Sequence, residues 1–222
     1  MNVLVIAAHP DDEVLGAGAT IKKLSDNGHR VHVLIASHIS ATREENIAAK
    51  AFESNRMLGV RRTMLGELEC MKFKDADHHD VVMMIEDAIR ATRPEIVFMH
   101  HPADIHIDHK VLAECTLEAI RLPQRQIDDT PTIKRALFME VPSSTDWSAD
   151  FSAAGFNPNS YEAVSREDIA AKIRAISLYD GVVRKHPHPR SSEAITGLAA
   201  VRGAKFGVPY AEAFQQAFGT AT

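Results

Sequence analysis

Val3-Leu4-Val5-Ile6-Ala7-Ala8-His9-Pro10-Asp11-Asp12-Glu13-Val14-Leu15-Gly16 lies at the start of the chain, and its reading decides the fold class. Residues 3–7 form an unbroken apolar run with three β-branched members, the pattern of a strand covered on both faces. From Glu13 onward, Val14, Ala17, Ile21 and Leu24 recur at helical spacing until Asn27-Gly28 closes the segment. The alternation then repeats. Residues 31–36 predict a strand, 44–58 a helix closed by Gly59, and 81–92 a helix stopped at Arg93-Pro94. Residues 95–99 predict a strand, 111–120 a helix and 135–141 a strand. Strand alternating with helix in this way specifies an α/β fold, a mostly parallel sheet flanked by helices in three layers.

Between these elements, residues 61–75 read as irregular. Residues 143–165, with Trp147, Gly155 and Pro158, read as a long excursion or a short edge hairpin. Residues 169–179 and 192–206 predict closing helices. No repeat or Pro/Gly linker divides the chain, so residues 1–222 are expected to form a single domain.

Composition narrows the function. Of 222 residues, 45% are hydrophobic and 25% charged, which excludes a disordered or collagen-like chain. Twenty-five Lys and Arg against 30 Asp and Glu leave no basic surplus for a phosphate backbone, so nucleic acid is not an expected partner. Cys70 and Cys115 are widely spaced and read as buried small hydrophobes in a reducing cytosol. The first apolar run stops at His9, too short for a signal segment or a membrane span, so a cytoplasmic protein without a membrane partner is expected.

Two motifs carry chemistry. The first, His9-Pro10-Asp11-Asp12-Glu13, falls where the first strand meets the first helix. Helix capping explains Pro10 and the acidic residues as well as metal ligation does. Capping alone, however, requires neither the histidine nor three successive carboxylates, which repel one another unless a cation is shared. The second, His100-His101-Pro102-Ala103-Asp104-Ile105-His106-Ile107-Asp108-His109, follows the strand at residues 95–99. It holds four of the chain's 12 histidines in ten positions, against about 0.5 for even scatter. Both loops follow strands, so they are expected on the same sheet edge, where α/β folds collect their sites. Imidazole and carboxylate donors converging there suit zinc without any cysteine.

These paired motifs resemble those of the PIG-L/LmbE-like family of zinc-dependent N-acetylglucosaminyl deacetylases, which have a Rossmann-like fold. The tail, Pro187-His188-Pro189-Arg190-Ser191 with Arg202-Gly203, Gly207 and residues 210–214, resembles the bacterial branch that includes the bacillithiol-pathway deacetylase. The resemblance implies His9, Asp12 and His109 as zinc ligands, Asp11 as general base, and His106 as oxyanion stabiliser with Asp108 as its carboxylate partner. Three ligands leave a fourth position for chemistry, the mark of a catalytic site. It also implies a small acetylated amino sugar or glycoconjugate as substrate, and a trimer or hexamer. His₂Asp ligation also accepts other divalent transition metals.

Around this set, Asp104 is expected either to orient a ligand or to touch a sugar hydroxyl. Arg43, His188 and Arg190 are substrate-binding candidates, although an ordinary solvated arginine and a plain connection explain Arg43 and the 187–190 segment as well. Glu13 reads as a supporting group or a helix cap, and His100 as structural. Gly16-Ala17-Gly18 lies too far into the helix for a dinucleotide fingerprint, and Ile21 occupies the third glycine position. Phe214 and Phe218 read as core or subunit contacts, and residues 67–74 as a solvated loop. Two further readings stay open: a metal- or sugar-binding protein without catalysis, and a zinc amidase acting on another amide such as a thiol conjugate.

Overall fold

The computed structural model describes residues 1–37, 46–125, 132–148 and 155–220. Its strands are β1 (Asn2–Ala7), β2 (Arg30–Ile35), β3 (Arg62–Leu65), β4 (Ile96–Met99), β5 (Arg135–Met139), β6 (Ser160–Ala163) and β7 (Ala211–Gly219). Its helices are α1 (Asp12–Asp26), α2 (Ile47–Met57), α3 (His78–Thr92), α4 (Ile107–Ala119), α5 (Leu122–Arg125), α6 (Arg166–Ile176) and α7 (Ser192–Ala204). All seven strands share one sheet in the order β3-β2-β1-β4-β5-β7-β6. The pairings from β3 through β5 are parallel, whereas β7 runs antiparallel to both β5 and β6.

The apolar run at the start of the chain explains the three layers. Val3, Val5 and Ala7 point to one face, where they pack with Leu15, Ala17 and Ile21 of α1 and Ala171, Ala175 and Ile176 of α6. Leu4 and Ile6 point to the other, against Val81, Ile85 and Ile89 of α3 and Leu112 and Cys115 of α4. A strand buried on both faces has no polar side, hence its continuous hydrophobicity. Gly16 lets α1 lie close to the sheet: a Cβ there would meet the Met139 Cβ at 2.9 Å. Packing, not phosphate binding, accounts for that glycine.

Two elements depart from expectation. Residues 62–65, read as irregular, form β3 at the sheet edge, where half-exposure leaves no clear apolar alternation. The tail forms β7, nine residues long, inserted between β5 and β6. Phe214 is consequently wholly buried against Phe98 and belongs to the core rather than to a subunit contact. The 143–165 excursion does end in an edge strand, β6. Among the described residues, no helix is long and apolar enough to cross a membrane.

The strand order reverses between β1 and β4, which leave in opposite directions to α1 and to the 100–106 loop. In open α/β sheets this switch point is where a crevice forms at the carboxyl ends of the strands. The Ala8 N–H donates to His100 Nε2 at 2.9 Å across it, joining the two motifs.

Candidate metal centre and active site

The first motif turns sharply out of β1. Asp11 stands at the N-terminal boundary of α1 with φ 114° and makes no side-chain hydrogen bond to the helix. Positive φ is costly for a non-glycine residue, and Asp and Asn are among the side chains that tolerate it best. The capping explanation for Asp11 therefore fails. Glu13 accounts for part of the turn: its Oε2 accepts from the Asp11 N–H at 3.1 Å, and its Oε1 accepts from the Tyr179 hydroxyl at 3.2 Å. Glu13 is completely buried, and burial with the neighbouring Asp11 and Asp12 charges pushes its carboxyl up to about 8.

Asp12 is the meeting point of the two loops. Its Oδ2 lies 3.3 Å from His9 Nδ1 and 3.1 Å from His109 Nε2. All three side chains are at least nine-tenths buried. Each histidine carries a second carboxylate on its other nitrogen. His9 Nε2 is 2.9 Å from Asp108 Oδ2, and His109 Nδ1 is 3.2 Å from Asp104 Oδ2. A ring that gives its N–H to the outer carboxylate keeps the lone pair of its inner nitrogen, the arrangement that holds metal-ligating histidines in the correct tautomer.

Electrostatics give the same result. Burial pulls the His9 imidazole down, but Asp108 and Asp12 outweigh it and raise it to about 12. His109 is likewise raised, to about 9, against its burial by Asp12 and Asp104. Asp12 resists burial and stays well below the carboxylate range because of His109 and His9. The site thus concentrates carboxylates around two rings, an arrangement that a divalent ion would satisfy in place of ring protons. The donor set fits a zinc-class ion: two imidazole nitrogens and one carboxylate oxygen, all buried, each ring held from behind.

His106 completes the mouth of the site. It begins α4, with its Nδ1 accepting the Asp108 N–H at 3.2 Å. A neutral ring whose Nδ1 accepts carries its proton on Nε2, so His106 offers a donor rather than a lone pair. Burial and the charges of His109 and His9 lower its pKa, which favours that neutral form. Its ring stacks 4.6 Å from His109 and meets His9 edge-on at 4.8 Å. Ring nitrogens of His9, His106 and His109 all lie within 4.8 Å of one another.

The expected pairing of Asp108 with His106 is corrected here. The Asp108 carboxylate faces His9 and accepts from the Met71 and Phe73 N–H groups, at 2.6 and 3.2 Å; only its backbone N–H reaches His106. Asp104, weighed as a sugar contact, is fully buried and accepts from Ser144 Oγ at 2.5 Å, Thr145 Oγ1 at 2.9 Å and the His106 N–H at 2.8 Å. It supports His109 and has no face left for a substrate. His100 stacks behind His109 at 3.8 Å, its Nε2 accepts from the Ala8 N–H, and it also has a ring nitrogen within 4.8 Å of ligand atoms of Asp12 and His109. His101 turns away toward Gln215 and Phe138.

Of the recognition candidates, Arg43 lies outside the described residues. Arg190 reaches the site from the tail: its Nη1 is 3.6 Å from Asp11 Oδ2, and its Nε donates to Ser143 Oγ at 2.7 Å. His188 is half-buried beside exposed Trp147, ring centroids 5.8 Å apart. Sequence reasoning missed Ser144, Thr145 and Cys70. Cys70 is no buried hydrophobe: it is part-exposed, with Sγ within 4.8 Å of ligand atoms of His9 and Asp108. The 67–74 segment is therefore a wall of the site, and Phe73 within it is buried. Its position after β3, on the active sheet edge, was the available signal, lost with the strand itself.

Residues 4–120, just over half of the chain, match the family model described as GlcNAc-PI de-N-acetylase. The uncharacterized deacetylase YaiS of Escherichia coli is 29% identical over 188 residues, covering 79% of this chain and 88% of that protein. The diacetylchitobiose deacetylase of Thermococcus kodakarensis is 31% identical over 130 residues, covering 54% of this chain and 49% of that protein. The conserved protein TT1542 from Thermus thermophilus shares the fold over 100% of this chain and 97% of its own, at TM-score 0.79 and 24% identity. GalB, the 4-carboxy-2-hydroxymuconate hydratase of Pseudomonas putida, shares it over 100% and 98%, at 0.77 and 19%. A deacetylase-like fold thus also carries hydration chemistry, and function must be argued from the side chains.

Proposed function

The chain belongs to the GlcNAc-PI de-N-acetylase (PIG-L) family, and from that membership we propose that it is a metal-dependent hydrolase that removes the N-acetyl group from a GlcNAc-type amino sugar or its conjugate. We take residues 1–222 as one such domain. The observation that carries the reading is the double tautomer lock, in which Asp108 and Asp104 hold the two histidines whose inner nitrogens converge on Asp12 Oδ2.

In this reading His9, Asp12 and His109 hold the ion, zinc by donor type. When bound, it supplies Lewis acidity that lowers the pKa of water and polarises an amide carbonyl. Asp11 is left with a different task. Its carboxylate is buried beside Asp12, held in its turn by Glu13, and takes the proton of the attacking water before passing it to the departing amine. His106 donates its Nε2 proton to the oxyanion that develops on the acetyl carbon's oxygen. Arg190, anchored by Ser143, places positive charge at Asp11 and the adjoining substrate. His188, with Trp147, borders the same entrance.

Relatives bearing names such as diacetylchitobiose deacetylase support an acetylated amino sugar as the substrate class. The test is amine release from N-acetylglucosamine and a panel of its conjugates, with chelator and then with zinc restored. Release abolished by chelation and recovered with zinc is expected. Metal bound with no release from any acetamido sugar or other amide would make the protein a binder on the same fold.

A further inference from the structure

We propose a second metal position on the outer side of His9, formed by Cys70, Asp108 and the His9 nitrogen that faces Asp108, which takes a thiophilic divalent ion of the zinc class. It rests on the reading that the first ion belongs to His9, Asp12 and His109. The ligand atoms of Cys70, Asp108 and His9 all lie within 4.8 Å of one another, close enough for a modest contraction around one ion. They differ from the first set in chemistry: here a sulfur joins nitrogen and oxygen, which favours zinc, cobalt or cadmium over harder ions.

The geometry shows a built site. The Met71 and Phe73 N–H groups both donate to Asp108, pinning the 70–73 segment onto that carboxylate. Met71 adopts φ 67° to allow this, a conformation unusual for its side chain. The result fixes Cys70 beside His9, while its partial exposure leaves the thiol open to arriving ions. The two nitrogens of His9 face different carboxylates, Nδ1 toward Asp12 and Nε2 toward Asp108.

Binding releases two protons to solvent, the thiol proton of Cys70 and the ring proton that His9 shares with Asp108, and no electrons move. Thiolate and carboxylate offset the second dication, and the His9 ring, with both nitrogens then metal-bound, bridges the two positions as an imidazolate. The same event removes the hydrogen bond by which Asp108 fixes the His9 tautomer.

Cobalt titration of the full-length protein tests this, because thiolate ligation to Co²⁺ adds a near-ultraviolet charge-transfer band that nitrogen and oxygen ligands do not. The first equivalent is expected to bind without that band, and further cobalt to produce it. Cys70→Ser should abolish the band and weaken the second step at least about tenfold. Cys115 is fully buried against α3 and does not compete. Absence of the band at several equivalents, with Cys70 shown free by thiol titration, would overturn the proposal. So would a band that persists in Cys70→Ser. Failure of the hydrolase reading is separable: it shows as no amide cleavage at one equivalent, whatever the band does.

Discussion

Asp108 turns its carboxylate to His9 and not to its near neighbour His106, with Oδ2 2.9 Å from His9 Nε2. The distinction matters because it moves Asp108 from the proposed oxyanion side of the site to the proposed metal side. Removing the carboxylate behind a ligating histidine typically costs about 10–100-fold in metal affinity. Asp108→Asn should show a loss of that size in zinc competition against a chromophoric chelator. Unchanged affinity with a fall confined to kcat would return Asp108 to the service of His106.

Asp11→Asn separates base from ligand. Asparagine tolerates the positive φ at this position, and the variant removes charge with little change in shape. The variant should retain one zinc per chain and lose about 10²–10⁴ in kcat. His109→Ala, by contrast, should lose the metal itself. Elemental analysis alongside single-substrate kinetics decides both, and full turnover in Asp11→Asn would remove it from the proton-transfer role.

The neutral donor tautomer of His106 leads to its own expectation. Substitution by alanine deletes one hydrogen bond to the developing oxyanion, worth about 10²–10³ in kcat. Zinc content should be unaffected, because the Nδ1 side of His106 is spent on the Asp108 N–H. If His106→Ala instead emptied the site, the three-histidine grouping with His9 and His109 would be the true ligand set.

The residues proposed to hold the metal were brought together legibly because each lies in a short contiguous motif directly after a buried strand, and β1 and β4 are neighbours. Their partners were not. His106 caps α4 with extended backbone and Asp108 lies in its first turn, so two residues of separation place their side chains on different neighbours. Ser144 and Thr145, which hold Asp104, come from a loop after β5 whose hydroxyls carry no spacing signal. β7 escaped notice because Ala211-Glu212-Ala213-Phe214-Gln215-Gln216 has little β-branched character; its place is set by filling the gap between β5 and β6. Glu212 within it is claimed by the buried Lys172 and by the N–H groups of Ala19 and Thr20, contacts that exist only once α1 and α6 are in place.

The pH dependence of stability should differ between metal-free and loaded protein. In the metal-free fold His109 is raised from 6.5 to about 9 by Asp12 and Asp104 against its burial, so its protonated form is favoured when folded. That stabilisation is fully present below pH 6.5 and is lost as pH rises through about 9. Glu13, raised from 4.5 to about 8 chiefly by burial, acts in the same direction, since raising the pH forces a charge into the core. Metal-free protein should therefore lose several degrees of Tm between pH 6.5 and 9. Zinc requires the deprotonated rings, so the extra stability it confers should grow over the same interval. Differential scanning fluorimetry with and without zinc reads both trends, and Glu13→Gln removes the glutamate's share without touching a ligand. A flat metal-free Tm in wild type would mean that Asp12 and Asp104 do not hold a proton on His109, and the electrostatic case for a cation at this site would fail with it.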